Sequence, residues 1–133
     1  MQPSIFTKII NGQIPCHKIY EDDKTIAFLD IHPTQPGHTL VVPKTQVDHF
    51  EDLDDSDYAA IWQTVKKIAN AQNTVFQRGR VGLSVVGLDV PHAHVHVFSF
   101  DTSEQYHAIP SQAAEPDHVA LAAIAKQLIA GLN

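Results

Sequence analysis

Apolar residues along this chain recur with two periods, one typical of helices and the other of strands. Between Asp54 and Gln77 they follow the spacing of one helix face, and acidic residues precede them, as is common at a helix N-terminus. The same spacing predicts a last helix that Pro116 opens, and Ser4 is suited to cap a short helix over residues 5–10. The pattern therefore predicts a short N-terminal helix, a long central helix and a C-terminal helix.

The remaining apolar segments are short, rich in β-branched residues and bounded by turn residues, as strands are. They predict five strands, at Lys18–Glu21, Thr25–Ile31, His38–Val42, Gly82–Val86 and Ala93–Phe100. The polar stretch Ser103–Glu115 is predicted to be a loop. Together these elements indicate an α+β fold with an antiparallel sheet, in one domain spanning residues 1–133.

Composition narrows the class of protein. The chain has 133 residues, a formal net charge of −6 and no apolar run approaching the ~20 residues of a membrane span. The negative net charge argues against nucleic acid as a partner, because nucleic acid attracts clustered Lys and Arg. The lack of a long apolar run argues against a membrane partner. The one cysteine, Cys16, cannot form an intrachain disulfide, so we expect a cytoplasmic protein.

Three histidines, His92, His94 and His96, alternate with small or apolar residues. Because side chains alternate along a strand, the three imidazoles should share one face while the residues between them pack inward. A merely polar sheet face would explain this poorly, since each buried ring nitrogen needs a partner. Two chemical interpretations stay open at this point: the imidazoles bind a transition metal, or one attacks phosphorus while its neighbours assist.

The histidine string and the segments before it resemble the histidine triad (HIT) family of nucleotide hydrolases and transferases. His-x-His-x-His followed by two apolar residues is the signature of that family. Further similar blocks occur in the same order, at residues 4–10, 12–15, 20–23, 27–31 and 36–44. The resemblance covers about residues 4–100 and implies a HIT-like fold, whereas residues 101–133 contribute little to it.

The resemblance also implies catalytic roles for four histidines. His94 would attack the α-phosphate and form a covalent nucleotidyl-histidine, which water then hydrolyses. His96 would bind phosphate and help the leaving group. His92 and His38 would orient the reacting imidazole, the latter from the neighbouring strand.

A nucleotide site follows from the same resemblance. Asp30 stands where the family uses an acid to accept both ribose hydroxyls, as one carboxylate can. Apolar residues match positions that hold a purine base between flat walls, namely Phe6, Ile9, Phe28, Ile31 and Leu40. A nucleotide or nucleotide conjugate is therefore the expected small-molecule partner.

The chain departs from the family pattern at two places. Many bacterial members carry a zinc-binding Cys-x-x-Cys pair and a histidine where this chain has Ser4, Thr7 and Gln46, so we predict no metal and no required cofactor. Many members also have Gly-Gln-Ser or Gly-Gln-Thr before the first triad histidine, where this chain has Gly87–Pro91. In that shorter loop Asp89 and Val90 would border the nucleotide, and Ser84 would occupy roughly the place of an asparagine.

The leading hypothesis is a hydrolase or nucleotidyl transferase acting on a phosphoramidate or phosphoanhydride at a nucleoside α-phosphate. Aminoacyl adenylates, adenosine phosphoramidate and dinucleoside polyphosphates all fit this description. A nucleotide-binding module without turnover and a histidine-ligated metal enzyme are the alternatives. By analogy with the family, a homodimer is expected, formed by the helix around Trp62 and a strand edge.

Overall fold

A five-stranded antiparallel sheet forms the centre of the computed structural model, which describes residues 1–132. The strand order across the sheet is β1-β2-β3-β5-β4. The strands are β1 (Lys18–Glu21), β2 (Thr25–Leu29), β3 (Thr39–Pro43), β4 (Arg80–Ser84) and β5 (Val95–Phe100). The predicted α+β class and the five-stranded antiparallel sheet are therefore confirmed.

Four helices accompany the sheet, and a single 3₁₀ turn, Phe50–Asp52, precedes the longest of them. The helices are α1 (Ile5–Ile10), α2 (Asp55–Phe76), α3 (Ser103–Tyr106) and α4 (His118–Gly131). Side-chain oxygens of Ser4, Asp54 and Asp117 accept backbone N–H groups at the starts of α1, α2 and α4. In residues 1–132, no helix has both the length and the apolar composition needed to cross a membrane.

The two faces of the sheet are covered unequally. One face carries Ala27, Val41 and Val97, which are fully buried against α2 and α4 in the larger apolar core. The opposite face carries Phe28 and Leu40, which pack with α1 in a smaller apolar cluster. Because α1 has only six residues, this second face keeps room for a ligand.

One predicted element type is wrong. The stretch Ser103–Glu115, predicted as a loop, begins with the helix α3. Thr102 and Gln105 form a reciprocal capping box around its first turn, which supplies hydrogen-bond partners for otherwise free backbone N–H groups. The Thr-x-x-Gln spacing carried this signal in the sequence.

Several strand boundaries also differ from the prediction. The strand β5 begins at Val95 rather than Ala93, because the N–H of Ala93 donates to Val47 O, 2.7 Å away, instead of joining the ladder. The strand β2 ends at Leu29, because the next residue, Asp30, turns the chain with its own side chain. The strand β4 spans Arg80–Ser84, two residues earlier than predicted, in register with Phe100 through His96.

The start of β3 is held by a polar contact from the core. Gln72 of α2 is fully buried, and its Nε2 donates to Gly37 O and, at 3.2 Å, to Thr39 Oγ1. Gly37 has φ of +87°, and a Cβ there would overlap the ring of Phe76. This packed turn fixes where His38 enters the sheet.

Candidate active site

A cavity of about 320 Å³ opens on the face of the sheet that α1 covers in part. Its wall brings together most residues expected at a nucleotide, from five separate segments of the chain. These are Phe6, Ile9, Phe28, Asp30, Ile31, Leu40, Asp89, Val90, His94 and His96. The cavity wall therefore combines apolar side chains with two carboxylates and two imidazoles.

The His94 ring has a defined tautomer. Its Nδ1 lies 2.8 Å from the backbone oxygen of His92, and a carbonyl oxygen can only accept a hydrogen bond. Nδ1 of neutral His94 therefore carries the proton, and Nε2 holds the free electron pair. The ring of Phe6 contacts His94 edge to face, with 5.0 Å between ring centroids, and restricts its rotation.

His92 does not present its ring to the cavity. It lies in a bend that precedes β5, and its side chain is fully buried. Its Nε2 donates to Pro43 O at 2.8 Å, and its Nδ1 accepts from Ser4 Oγ at 2.7 Å. His92 and His94 both contact the ring of Phe6, so their rings lie on the face that α1 covers, but only His94 and His96 line the cavity. His92 reaches His94 through its backbone.

His96 is oriented by His38, which immediately precedes β3, the strand next to β5 in the sheet. The N–H of Thr34 donates to His38 Nδ1 at 3.0 Å, so the proton of neutral His38 is on Nε2. That Nε2 lies 2.9 Å from His96 Nδ1, which must then accept. The proton of neutral His96 is consequently on Nε2, and His96 offers a hydrogen-bond donor to a ligand.

Burial keeps these supporting rings neutral. It lowers the pKa of His96 from 6.5 to about 4, with His38 and His94 adding to the effect. Burial also lowers the pKa of His38, against the opposing influence of Asp30, and that of His92. Each supporting imidazole is thus an uncharged group at neutral pH, with its two nitrogens assigned as one donor and one acceptor.

The two carboxylate oxygens of Asp30 have different surroundings. Oδ1 accepts the N–H of His32 at 2.9 Å and holds the turn that ends β2. Oδ2 lies 3.8 Å from His38 Nε2, and the side chain is 25% exposed. One carboxylate oxygen therefore remains available at the cavity, beside Phe28 and Ile31.

The cavity also contains residues that the sequence analysis missed. Ile14 and Cys16 extend the apolar wall after α1, and Gln112 reaches the cavity from the segment between α3 and α4. The residues after 100 gave no motif, so the sequence carried no signal for Gln112. Ser84 is not on this wall; it pairs with His96 in the sheet and lines an adjoining depression that His96 also borders.

Asp89 is the second carboxylate on the cavity wall, as the sequence led us to expect. It belongs to the short loop that joins β4 to His92, and it is exposed to solvent. A negative charge at this position repels a bound phosphate, with solvent screening the repulsion. The loop therefore contributes no side chain suited to stabilising a phosphate.

A possible metal-binding group differs from the one considered from the sequence. Within residues 1–132, Asp30, His38 and His96 place one ligand atom each within 4.8 Å of one another. His92 and His94 are not part of this group. Two of the three atoms, His38 Nε2 and His96 Nδ1, already share a hydrogen bond, which a metal ion would have to break.

Comparison with known proteins identifies the class. The HIT domain pattern matches residues 11–103, and the chain belongs to the HIT family. It is 41% identical over 101 residues to a HIT-like protein of Methanocaldococcus jannaschii, covering 70% of this chain and 75% of that one. It is 34% identical over 122 residues to the adenosine 5′-monophosphoramidase hnt1 of Schizosaccharomyces pombe, covering 86% and 89% of the two chains.

Other relatives extend this result. An adenylylsulfatase, HINT3 of Arabidopsis thaliana, is 35% identical over 98 residues, which are 70% of this chain and 50% of the plant protein. The crystal structure of a Hit-like protein from Bartonella henselae superposes with a TM-score of 0.83 at 31% identity, covering 96% and 95% of the two chains. The fold is therefore the HIT fold, and the family includes named hydrolases of nucleotide compounds.

The buried neutral histidines should make stability depend on pH. The unfolded chain binds these protons near pH 6.5, whereas folded His96 binds its proton only near pH 4. Folded protein therefore holds fewer protons in this interval, and its free energy of unfolding falls as pH drops from 6.5 towards 4. The contribution of the neutral histidines to the free energy of unfolding is complete above pH 6.5.

Urea unfolding at about pH 7 and about pH 5 measures this loss. We expect His96→Gln to lose less stability between the two conditions than the wild type, because one of the three protonation sites is gone. The exposed residue His49 supplies the control, and His49→Gln should lose as much as the wild type. An unchanged pH dependence in His96→Gln would contradict the assignment of a neutral, buried His96.

Proposed function

We propose that this protein is a nucleotide hydrolase or nucleotidyl transferase in which His94 attacks the α-phosphorus of a nucleotide conjugate. The observation that carries the proposal is the hydrogen bond from His94 Nδ1 to His92 O. It fixes the proton on one nitrogen and leaves the electron pair of Nε2 available at a cavity suited to a nucleotide. An imidazole with one nitrogen deprotonated at neutral pH is a competent nucleophile.

In the first step, His94 Nε2 forms a bond to phosphorus while the bond between phosphorus and the leaving group breaks. The leaving group takes the electron pair of that bond and, if it is an amine, acquires a proton from solvent. The intermediate is a phosphoimidazolium, whose positive charge is balanced by the phosphate oxygens. The carbonyl of His92 stabilises this cation, because it accepts a hydrogen bond from Nδ1.

His96 assists by hydrogen bonding. Its Nε2–H donates to a phosphate oxygen and stabilises the negative charge that develops during the attack. Full transfer of that proton would leave an imidazolate, since Nδ1 is occupied as an acceptor from His38. We therefore assign His96 to charge stabilisation around phosphorus and the leaving group, with His38 as its positioning residue.

In the second step, water attacks phosphorus and the bond to His94 Nε2 breaks. The electron pair returns to the imidazole, the water proton passes to solvent, and nucleoside monophosphate is released. Asp30 holds the ribose through the carboxylate oxygen that faces the cavity, while Phe6, Phe28 and Ile31 contact the base. No step requires a cofactor or a metal ion.

The names of two relatives support the class of substrate. One is an adenosine 5′-monophosphoramidase and the other an adenylylsulfatase. In both names the adenylyl group is constant while the leaving group changes from a nitrogen compound to sulfate. We infer that this protein acts on adenylyl or other purine nucleotide conjugates, with phosphoramidates and phosphoanhydrides as the first compounds to test. The one cysteine suits a reducing compartment, and we place the activity in the cytoplasm.

Replacing the nucleophile should abolish turnover. We expect His94→Asn to lower kcat by at least about a thousandfold while AMP affinity stays within a few-fold of wild type, because only bond formation is lost. Rapid quenching of a reaction with labelled adenosine phosphoramidate, followed by peptide mass analysis, should locate the adduct on His94. His118→Asn, which changes an exposed histidine at the start of α4, should leave kcat unchanged.

The alternatives give different results in the same assay. Wild-type protein that binds AMP but turns over no conjugate would be a binding module, an outcome compatible with a loop that lacks the usual Gln and Ser. Activity that disappears with a chelator and returns with zinc would point to a metal enzyme using Asp30, His38 and His96. Full activity in His94→Asn would refute the covalent mechanism.

The proposed role of Asp30 predicts a dependence on the ribose 2′-hydroxyl. Asp30→Ala should weaken binding of AMP, because each charge-assisted hydrogen bond to a ribose hydroxyl contributes about 1.5–3 kcal/mol. The loss should be smaller for 2′-deoxy-AMP, which offers one hydroxyl fewer. Isothermal titration of both ligands with Asp30→Ala measures the difference, and Asp52→Ala, which removes an exposed carboxylate, is the charge control. Equal losses for both ligands would remove Asp30 from the ribose site.

We also propose that two copies of the chain associate across the edge of β4. This strand is the last in the sheet, so its outer N–H and C=O groups have no neighbouring strand within residues 1–132. Leu83 is 41% exposed, and its pairing with Val97 places it on the face that α2 covers. Exposed Tyr58 and half-buried Trp62 of α2 extend this apolar surface. A twofold axis at the strand edge would bury the surface of both copies.

Light scattering should give a mass twice that of one chain. Leu83→Lys should shift the protein towards monomer, because the twofold axis would bring the two introduced charges close together. The matched control is Val119→Lys on α4, where the side chain is 85% exposed and a dimer should persist. A monomeric wild type at micromolar concentration would disprove the association.

A further inference from the structure

A group of hydrogen-bonded polar side chains adjoins the segment of His92 and His94, outside the cavity wall. Ser4, Thr7, Gln46 and His92 form this group, here called the polar cluster, and it joins α1, the segment after β3 and the segment before β5. None of the four lines the cavity. A cluster of this kind can affect the reaction only through the residues that it holds in place.

The hydrogen-bond direction at Gln46 is determined by its partners. Its Oε1 accepts from Ser4 N at 2.8 Å and from Thr7 Oγ1 at 2.6 Å. Its Nε2 donates to Gln2 O at 2.8 Å. In the reversed amide orientation Nε2 would face the N–H of Ser4, a second donor, and Oε1 would face Gln2 O, a second acceptor. Gln46 therefore fixes the backbone of Ser4 and the hydroxyl of Thr7 together.

Ser4 connects the start of α1 to the ring of His92. Its Oγ accepts the N–H of Thr7 at 3.0 Å, as the cap of α1. His92 Nε2 donates to Pro43 O, so His92 Nδ1 must accept. The Ser4 hydroxyl therefore donates to His92 Nδ1 at 2.7 Å and not to the more distant Thr7 Oγ1 at 3.3 Å. The ring of His92 is thus held at both nitrogens, with no exposure to solvent.

Holding that ring also holds the backbone of His92. Its N–H donates to Val90 O at 2.8 Å, and the N–H of Ala93 donates to Val47 O at 2.7 Å. The carbonyl oxygen between these two N–H groups is the acceptor for His94 Nδ1. A continuous hydrogen-bonded path therefore runs from Gln46 through Ser4 and His92 to the nucleophile.

From this path we propose that Ser4, Thr7 and Gln46 are positioning residues for the nucleophile. They keep the carbonyl of His92 in line with His94 Nδ1, and so keep the electron pair of Nε2 directed at phosphorus. The inference rests on the proposed role of His94. It assigns a function to three residues that contact neither the nucleotide nor the reacting atoms.

Kinetics of Ser4→Ala and Gln46→Leu test the assignment. Small misplacements of a reacting group reduce rates by up to about a hundredfold, so we expect kcat to fall about ten- to a hundredfold while KM changes by less than about twofold. Ser4→Thr retains the hydroxyl and should restore most of kcat. The double variant should lose little more than Ser4→Ala alone, because both changes interrupt one path.

A variant at the N-cap of another helix distinguishes an effect on the position of His94 from a general loss of stability. Thr102 caps α3 with its hydroxyl, far along the chain from the polar cluster, and Thr102→Ala removes that cap. It should lower stability by the contribution of a helix cap and leave kcat unchanged, whereas Ser4→Ala loses more stability because it also leaves the buried His92 Nδ1 without a donor. If Ser4→Ala loses no more kcat than Thr102→Ala does, the assignment is overturned.

Nitrogen NMR of the His94 imidazole provides a measurement that needs no turnover. The wild type should show His94 protonated on Nδ1, and Ser4→Ala should show a larger fraction protonated on Nε2. Unchanged His94 tautomers in both Ser4→Ala and Gln46→Leu would also overturn the assignment. A failure of the proposed function looks different, since the wild type would then form no His94 adduct whatever its tautomer.

Discussion

The hydrogen bond from His94 Nδ1 to the carbonyl oxygen of His92 is the interaction on which the rest of the site depends. An imidazole that rotates freely exchanges its two tautomers and points its electron pair in many directions. A backbone carbonyl removes this freedom, because it can only accept and because the chain on either side holds it in place. The hydrogen bonds of the N–H groups of His92 and Ala93 hold the peptide group that carries this carbonyl.

The buried imidazoles require a hydrogen-bond partner for each of their nitrogens. Each neutral ring brings one donor and one acceptor, and an unpaired polar atom in the interior costs about 1–3 kcal/mol. Thr34 and His96 satisfy His38, while Pro43 and Ser4 satisfy His92. Because each of these partners is fixed by its own element, the rings have one arrangement of protons instead of several. Unpaired atoms occur in the core instead, at Gln72 Oε1 and Ser99 Oγ.

The sequence predicted regular elements well because their signals are local. The helical spacing of apolar residues in α2 and the β-branched runs of β3 and β5 each belong to one segment. Boundaries were less accurate where a distant atom decides them, as Val47 O does for the start of β5. The short helix α3 was missed because a polar composition outweighed its capping signal.

In the candidate site, too, local signals were predicted from the sequence and contacts between distant segments were not. His94, His96 and Asp30 were found through a motif and a resemblance, and the structure places all three at one cavity. The orientation of His92 away from that cavity depends on contacts with Pro43 and Ser4, which are 49 and 88 residues away along the chain. No spacing rule contains that information. The contribution of Gln112 was invisible for a related reason, since it comes from a segment without periodicity or motif.

The shortness of α1 has a consequence for how tightly a ligand binds. A helix of six residues is far below the ~12–15 residues that an isolated helix needs, so α1 exists only while its cap and its packing hold. This helix also provides Phe6 and Ile9 to the cavity. The measured affinity for any ligand touching them is its intrinsic affinity multiplied by the fraction of molecules in which α1 is formed. A ligand that contacts only the sheet would escape this reduction, because its binding does not require α1 to be formed.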